Sequence, residues 1–121
     1  MAFQEKIDQL VTKLTDLTET GKVAWDETAD ENVFVASVGK FVVSLGQDED
    51  SWGNPIDRFR FRVLDGTGKT IDEALSYQGA LSSQRDAEER DRLQRLHGLA
   101  RRSALHTEEV LTDLLSSLER I

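Results

Sequence analysis

Three arginines, Arg58, Arg60 and Arg62, alternate with Phe59, Phe61 and Val63, and this is the arrangement in the chain with the most unusual chemistry. In an extended segment the alternation sends the aromatic and aliphatic groups to one face and the guanidinium groups to the other. Same-face neighbours on a strand lie only about 7 Å apart, so three like charges in a row call for negative charge nearby. Two readings follow. Acidic side chains such as Asp72 or Asp26 can compensate the row from neighbouring strands, with the arginine stems covering apolar surface. Alternatively the row is a docking face for an acidic protein segment or a nucleotide-like anion, because guanidinium forks bind carboxylate and phosphate bidentately. Arg58, Arg60 and Arg62 are therefore the candidate partner- or anion-binding residues.

Other combinations approach a chemical motif and then depart from it. Gly66, Thr67, Gly68, Lys69 and Thr70 contain the Gly-Lys-Thr ending of a phosphate-binding loop. That loop needs glycine where Val63 stands, and it must lead from a strand into a helix, whereas this segment reads as a turn between two strands. Asp48, Asp50 and Gly53 match three positions of a calcium-binding helix–loop–helix, yet Trp52 stands at an oxygen-ligand position and Phe59 where a bidentate glutamate should close the shell. A solvated acidic loop is the plainer reading. The only histidines, His97 and His106, are nine residues apart with an expected helix break between them, and are expected near helix ends rather than as a zinc pair. There is no Gly-x-Ser-x-Gly elbow. Adjacent carboxylates such as Asp26 with Glu27, or Glu88 with Glu89, diverge on any regular element and do not suit shared acid–base work. The residues thus predict no catalytic group, no cofactor and no metal site.

The elements that would position the arginine row can be read from periodicity. Phe3, Ile7, Leu10, Val11, Leu14 and Leu17 form one stripe of an amphipathic helix that Thr20 and Gly21 end. The stripe is expected to pack on the sheet of this domain; its heptad-like spacing makes a homodimer seam the alternative, although only two heptads are present. Alternation then takes over: Val23 and Trp25, then Phe34, Ala36 and Val38, then Phe41, Val43 and Leu45 read as three strands. Ala29–Asn32 and Gly39–Lys40 supply the turns between them. Asp57–Leu64 is a fourth strand, and a fifth runs around Thr70–Ala74. Gln47–Asn54, acidic and turn-rich, reads as a loose linker. From about Ser83 the pattern is helical, with Leu93, Leu96, Leu99, Ala100 and Ala104 on one face. A mixed charged face carries Arg92, Arg95, Arg101 and Arg102. A last helix starts near Thr107, a good N-cap, with Glu108 and Glu109 where negative charge favours a helix N-terminus. Val110, Leu111, Leu114, Leu115 and Leu118 make it the most apolar helix of the chain.

The sum is a single α+β domain over residues 1–121: an N-terminal amphipathic helix, an antiparallel β-meander of four to five strands and two C-terminal helices. The length, 121 residues, suits one modest core. A net charge of −8 and a pI near 4.7 repel phosphate backbones and anionic headgroups, so neither nucleic acid nor a membrane surface is an expected partner. No cysteine is present, which removes disulfides, thiolate nucleophiles and Cys-type metal sites. The start Met1–Glu5 lacks a basic-then-apolar leader and no apolar run nears the roughly 20 residues of a membrane span, so a cytoplasmic place is expected.

Gly21–Thr28 (Gly-Lys-Val-Ala-Trp-Asp-Glu-Thr), with Phe34, Ala36, Val43 and Ala100–Ala104 (Ala-Arg-Arg-Ser-Ala), resembles small uncharacterised bacterial proteins built from a helix, a β-meander and C-terminal helices. The resemblance rests on packing residues and implies the fold, not an activity. In size, acidity and layout the chain is also similar to the acidic chaperones of bacterial secretion systems. The reading that results is a non-enzymatic protein-binding or adaptor module, able to form a homodimer. Its alternatives are a sensor of a small anionic or nucleotide-like ligand at the arginine row, and an acidic chaperone or immunity-type protein.

Overall fold

A computed structural model describes residues 2–76 and 84–121. The chain runs α1 (Ala2–Glu19), β1 (Asp26–Glu27), β2 (Val33–Val38), β3 (Phe41–Glu49), β4 (Pro55–Leu64), β5 (Thr70–Ser76), α2 (Gln84–Ala104) and α3 (Thr107–Glu119). The five strands form one antiparallel meander in sequence order. The fold is α+β, with a helix before the sheet and two after it.

Alternation decides which side of the sheet meets the helices. Across the inner face, Phe34, Leu45, Phe61 and Ala74 fall in one row of register partners. The adjacent row on the opposite face is Val35, Ser44, Arg62 and Glu73. Helix α2 lies across the inner face and touches all five strands, burying Leu93, Leu96, Ala100 and Ala104. Helix α1 lays Val11 and Leu14 into the same core, but its main neighbour is α2 rather than the sheet on which it was expected to pack. The physical reason is that α2 alone already spans the width of the meander, leaving α1 the flank. Ile7 and Leu10 also pack against this core, so the α1 stripe is engaged within the chain.

The connection from α1 departs from expectation. Gly21 (φ 75°) closes the helix as expected: its N–H donates to the Thr18 carbonyl, and that of Lys22 to Leu17, the paired bonds of a left-handed C-terminal cap. Val23 and Trp25, however, do not form a strand, and β1 is only Asp26–Glu27. The Trp25 N–H donates to Ser103 Oγ of α2 (2.9 Å) instead of to a ladder, and the indole N–H donates to Thr18 Oγ1 (3.0 Å). With 1% exposure, Trp25 joins the ends of α1 and α2 rather than lining the sheet.

Two hairpins share one loop chemistry. In Asp50–Asn54 and in Asp65–Lys69, the first aspartate accepts at Oδ1 from the N–H two residues on and from the N–H four residues on (2.9–3.0 Å). The glycine in fourth place takes a positive φ, 80° at Gly53 and 89° at Gly68. This is a tight turn with a glycine bulge, a common connection for antiparallel strands. It extends β3 to Glu49, so the segment read as a linker from Gln47 is largely strand and hairpin.

Candidate functional site

The outer face of the meander holds the arginine row where the alternation placed it, with Phe59 and Phe61 buried behind it. The row is compensated by two carboxylates. Arg58 Nε lies 2.6 Å from Asp48 Oδ2, and Arg60 Nη2 lies 3.2 Å from the same oxygen. Arg60 Nη1 meets Glu73 Oε1 at 2.5 Å, and Arg62 Nε meets Glu73 Oε2 at 3.1 Å. The result is a ladder that alternates in charge: Arg58, Asp48, Arg60, Glu73, Arg62. Burial pushes the Asp48 carboxyl up, but hydrogen bonds from Arg60 and Arg58 outweigh it and hold the group below the usual aspartate value. The hydrogen bond with Asp48, partly offset by desolvation, holds the Arg60 guanidinium above its ordinary value.

Asp72 and Asp26, the expected partners, do not form the ladder. Asp48 takes part because β3 continues past Gln47. Glu73 takes part because a register shift at Val63/Leu64 sets it directly opposite Arg62. A slip of one residue moves a side chain to the other face, so a bulge decides which acid is available. Beside the ladder a depression of about 210 Å³ lies over Gly46, lined by Asp30, Val33, Ser44, Asp48, Arg60 and Arg62. Gly46 has no side chain to fill it, and a Cβ there would come within 2.9 Å of Val33 Cγ2.

The phosphate-loop likeness is resolved by Asp65. Its carboxylate accepts from the Thr67 and Lys69 N–H groups and from Thr67 Oγ1 (2.6 Å), so the loop's amides serve an internal anion. The Thr67 hydroxyl first, then the backbone amides, hold the Asp65 carboxyl below its ordinary value. In the acidic loop, Asp50 is likewise engaged by backbone amides. Among the described residues no three His, Asp or Glu side chains gather as a metal site.

The histidines part company. His97 does not lie near a helix end; it is buried within α2, between the rings of Phe34 (5.3 Å) and Phe59 (5.4 Å), with Nε2 2.9 Å from the Asn32 carbonyl oxygen. Desolvation lowers its pKa, and the Asn32 carbonyl only partly opposes this. A neutral imidazole donating Nε2–H to that carbonyl is a packing and tethering group. His106 rather than Thr107 is the N-cap of α3; it adopts a left-handed conformation (φ 52°, ψ 44°) with no side-chain cap bond.

No protein-family model, curated protein or solved structure matches this chain.

The placement of α3 is not foretold by its residue pattern. Among the described residues α3 touches only α2 to any extent, and none of its own residues is buried. Val110, Leu111, Leu114, Leu115 and Leu118 are between 47% and 63% exposed. Successive helical residues are about 100° apart, so these five fall within one broad stripe. The pattern that signals a core helix is present, but the core is already filled by α1, α2 and Trp25. No helix among the described residues is long and apolar enough to cross a membrane.

Proposed function

We propose that the chain is a non-enzymatic protein-binding module whose contact element is α3. The observation that carries the reading is the exposure of five large aliphatic side chains on one stripe of a helix that buries nothing. Fully burying a side chain of this kind removes about 60–120 Å² of apolar surface, so the half-exposed stripe presents roughly 250 Å². Covering it against an apolar surface is worth roughly 6 kcal/mol at 25 cal/mol per Å², before the cost of association. A chaperone or immunity-type protein that captures one partner is the narrower form of this reading. A cytoplasmic place accords with a chain free of cysteine.

The arginine row supports a second reading less well. Three guanidinium groups stand in a row beside the depression over Gly46, which Asp30 lines as well as Asp48. Every arginine of the row nevertheless has a carboxylate within 3.2 Å. If an anion is bound there, replacing all three arginines with alanine abolishes its binding; an unchanged affinity excludes it.

The protein-binding reading is tested with a photoreactive residue in place of Leu115, compared inside cells with one in place of Lys13, an exposed residue of α1. The expected result is a discrete protein adduct at position 115 that is absent at position 13 and lost on Leu111→Asp. No adduct at position 115 overturns the reading.

A further inference from the structure

We propose that the cleft between α1, α2 and the edge strand β5 binds a small neutral molecule with an apolar body and one hydrogen-bonding head, of the alcohol or phenol class. The cleft is separate from α3 and from the arginine ladder, so this site stands or falls apart from the protein-binding reading.

Ser76 is the residue that marks it. Alternation along β5 turns Ala74 and Ser76 to the inner face of the sheet, opposite Phe61 and Phe59 of β4. Both phenylalanines are buried, so the surroundings of the hydroxyl are apolar. Ser76 is only 4% exposed, and its Oγ has no hydrogen-bond partner. The other buried polar side chains among the described residues are satisfied. Thr18 Oγ1 donates to the Leu14 carbonyl and accepts from the Trp25 indole, and His97 pairs with the Asn32 carbonyl. A buried hydroxyl without a partner costs stability, and folded proteins keep few of them. This one lies on a cleft, where the head of a ligand can complete it.

The cleft has the composition of a binding site. Its volume is about 190 Å³. Val11 of α1 and Leu93 of α2, both buried, line it together with the partly buried Ile7 and Ala74. Three elements distant in sequence thus surround one unpartnered polar atom with aliphatic groups, the combination by which a pocket holds a ligand and fixes its orientation. An apolar cavity of about 150 Å³ accepts benzene, so the size here suits a single ring with a small substituent.

Charge sets the class of ligand. Asp8, Glu89 and Arg92 border the cleft, with Arg92 Nη1 3.7 Å from Asp8 Oδ1. Glu73 borders it as well, but its carboxylate is committed to Arg60 and Arg62 on the outer face. Carboxylates outnumber guanidinium groups around the opening, which disfavours an anion. A cation beside Ser76 would be buried without a carboxylate partner, at a large desolvation cost. A neutral hydroxyl meets both conditions: it shares one hydrogen bond with Ser76 Oγ and leaves its ring to Val11, Leu93 and Ala74.

The test is an NMR titration of the isotopically labelled full chain with p-cresol, with toluene, which lacks the hydroxyl, and with benzoate, an anion of nearly the same size. p-Cresol is expected to shift the signals of Val11, Ala74 and Leu93 saturably and to bind about fivefold more tightly than toluene, the effect of one neutral hydrogen bond. Benzoate is expected to give no saturable shift at these residues. Ser76→Ala, a change too small to disturb the fold, should erase the preference for p-cresol over toluene. No saturable shift with p-cresol overturns the site. Equal affinities for p-cresol and toluene in the wild-type chain, or a preference that survives in Ser76→Ala, overturn the role of the hydroxyl. Benzoate binding as tightly as p-cresol overturns the neutral class.

Discussion

Lowering the pH through the imidazole range should destabilise this protein by way of His97. The unfolded chain takes up a proton near the ordinary histidine pKa of 6.5, whereas burial lowers the pKa of the folded imidazole. The ring is enclosed by Phe34 and Phe59, its Nε2–H is committed to the Asn32 carbonyl, and Arg101 one turn along α2 opposes a second positive charge. Because the folded value is the lower one, stability is complete above pH 6.5 and declines as pH falls from there to the folded pKa. Within that window the unfolded state holds one more proton, and the slope reaches about 1.4 kcal/mol per pH unit. Set against a typical domain stability of roughly 5–15 kcal/mol, this shift is readily measured. The assay is urea unfolding at intervals from pH 8 to pH 5, for the wild-type chain and for His97→Gln, which keeps an amide donor near the Nε2 position and cannot titrate. The wild-type midpoint should fall with pH more steeply than that of the variant. Parallel profiles, or an NMR titration that places the His97 pKa at or above 6.5, would refute the reasoning.

The remaining predictions concern the sheet loops, α2 and the ladder. Gly68→Ala, at φ 89°, should destabilise the chain by roughly 1–2 kcal/mol in urea unfolding, because the left-handed region penalises a Cβ. Gly98→Ala should do the reverse by about 1 kcal/mol, since Gly98 lies inside α2 and a Cβ there meets nothing within 4 Å. Asp48→Asn should cost about 1 kcal/mol, small because the ladder side chains are partly exposed to solvent. The depressed Asp48 pKa makes that contribution complete above the ordinary value of 3.8 and lost as pH falls through the folded value. The difference between wild type and Asp48→Asn should therefore shrink in acid.

The fold was legible where periodicity alone decides it. The alternation through Phe34–Leu45 and Phe59–Val63 identified the inner face, and the stripe Leu93, Leu96, Ala100 and Ala104 identified the helix that covers it. What escaped was set by partners distant in sequence. Trp25 sits in an alternating context, but its N–H finds Ser103, which lies 78 positions further along, and the strand expected there shrinks to two residues. The two Asp-x-x-Gly hairpins are local and readable once seen as a pair, since each aspartate closes its own turn. The arginine row was readable as a row. Its partners were not, because a bulge and the length of β3 select Glu73 and Asp48. Helix α3 shows the limit most clearly: an apolar stripe predicts burial, yet the stripe stays exposed because the core among the described residues is already filled by α1, α2 and Trp25.

The measurement that bears most directly on the central claim is the photocrosslink from position 115 in living cells. If α3 is a protein-docking element, that position forms a discrete adduct, position 13 forms none, and Leu111→Asp abolishes it. An exposed α3 that forms no adduct at position 115 would contradict the account.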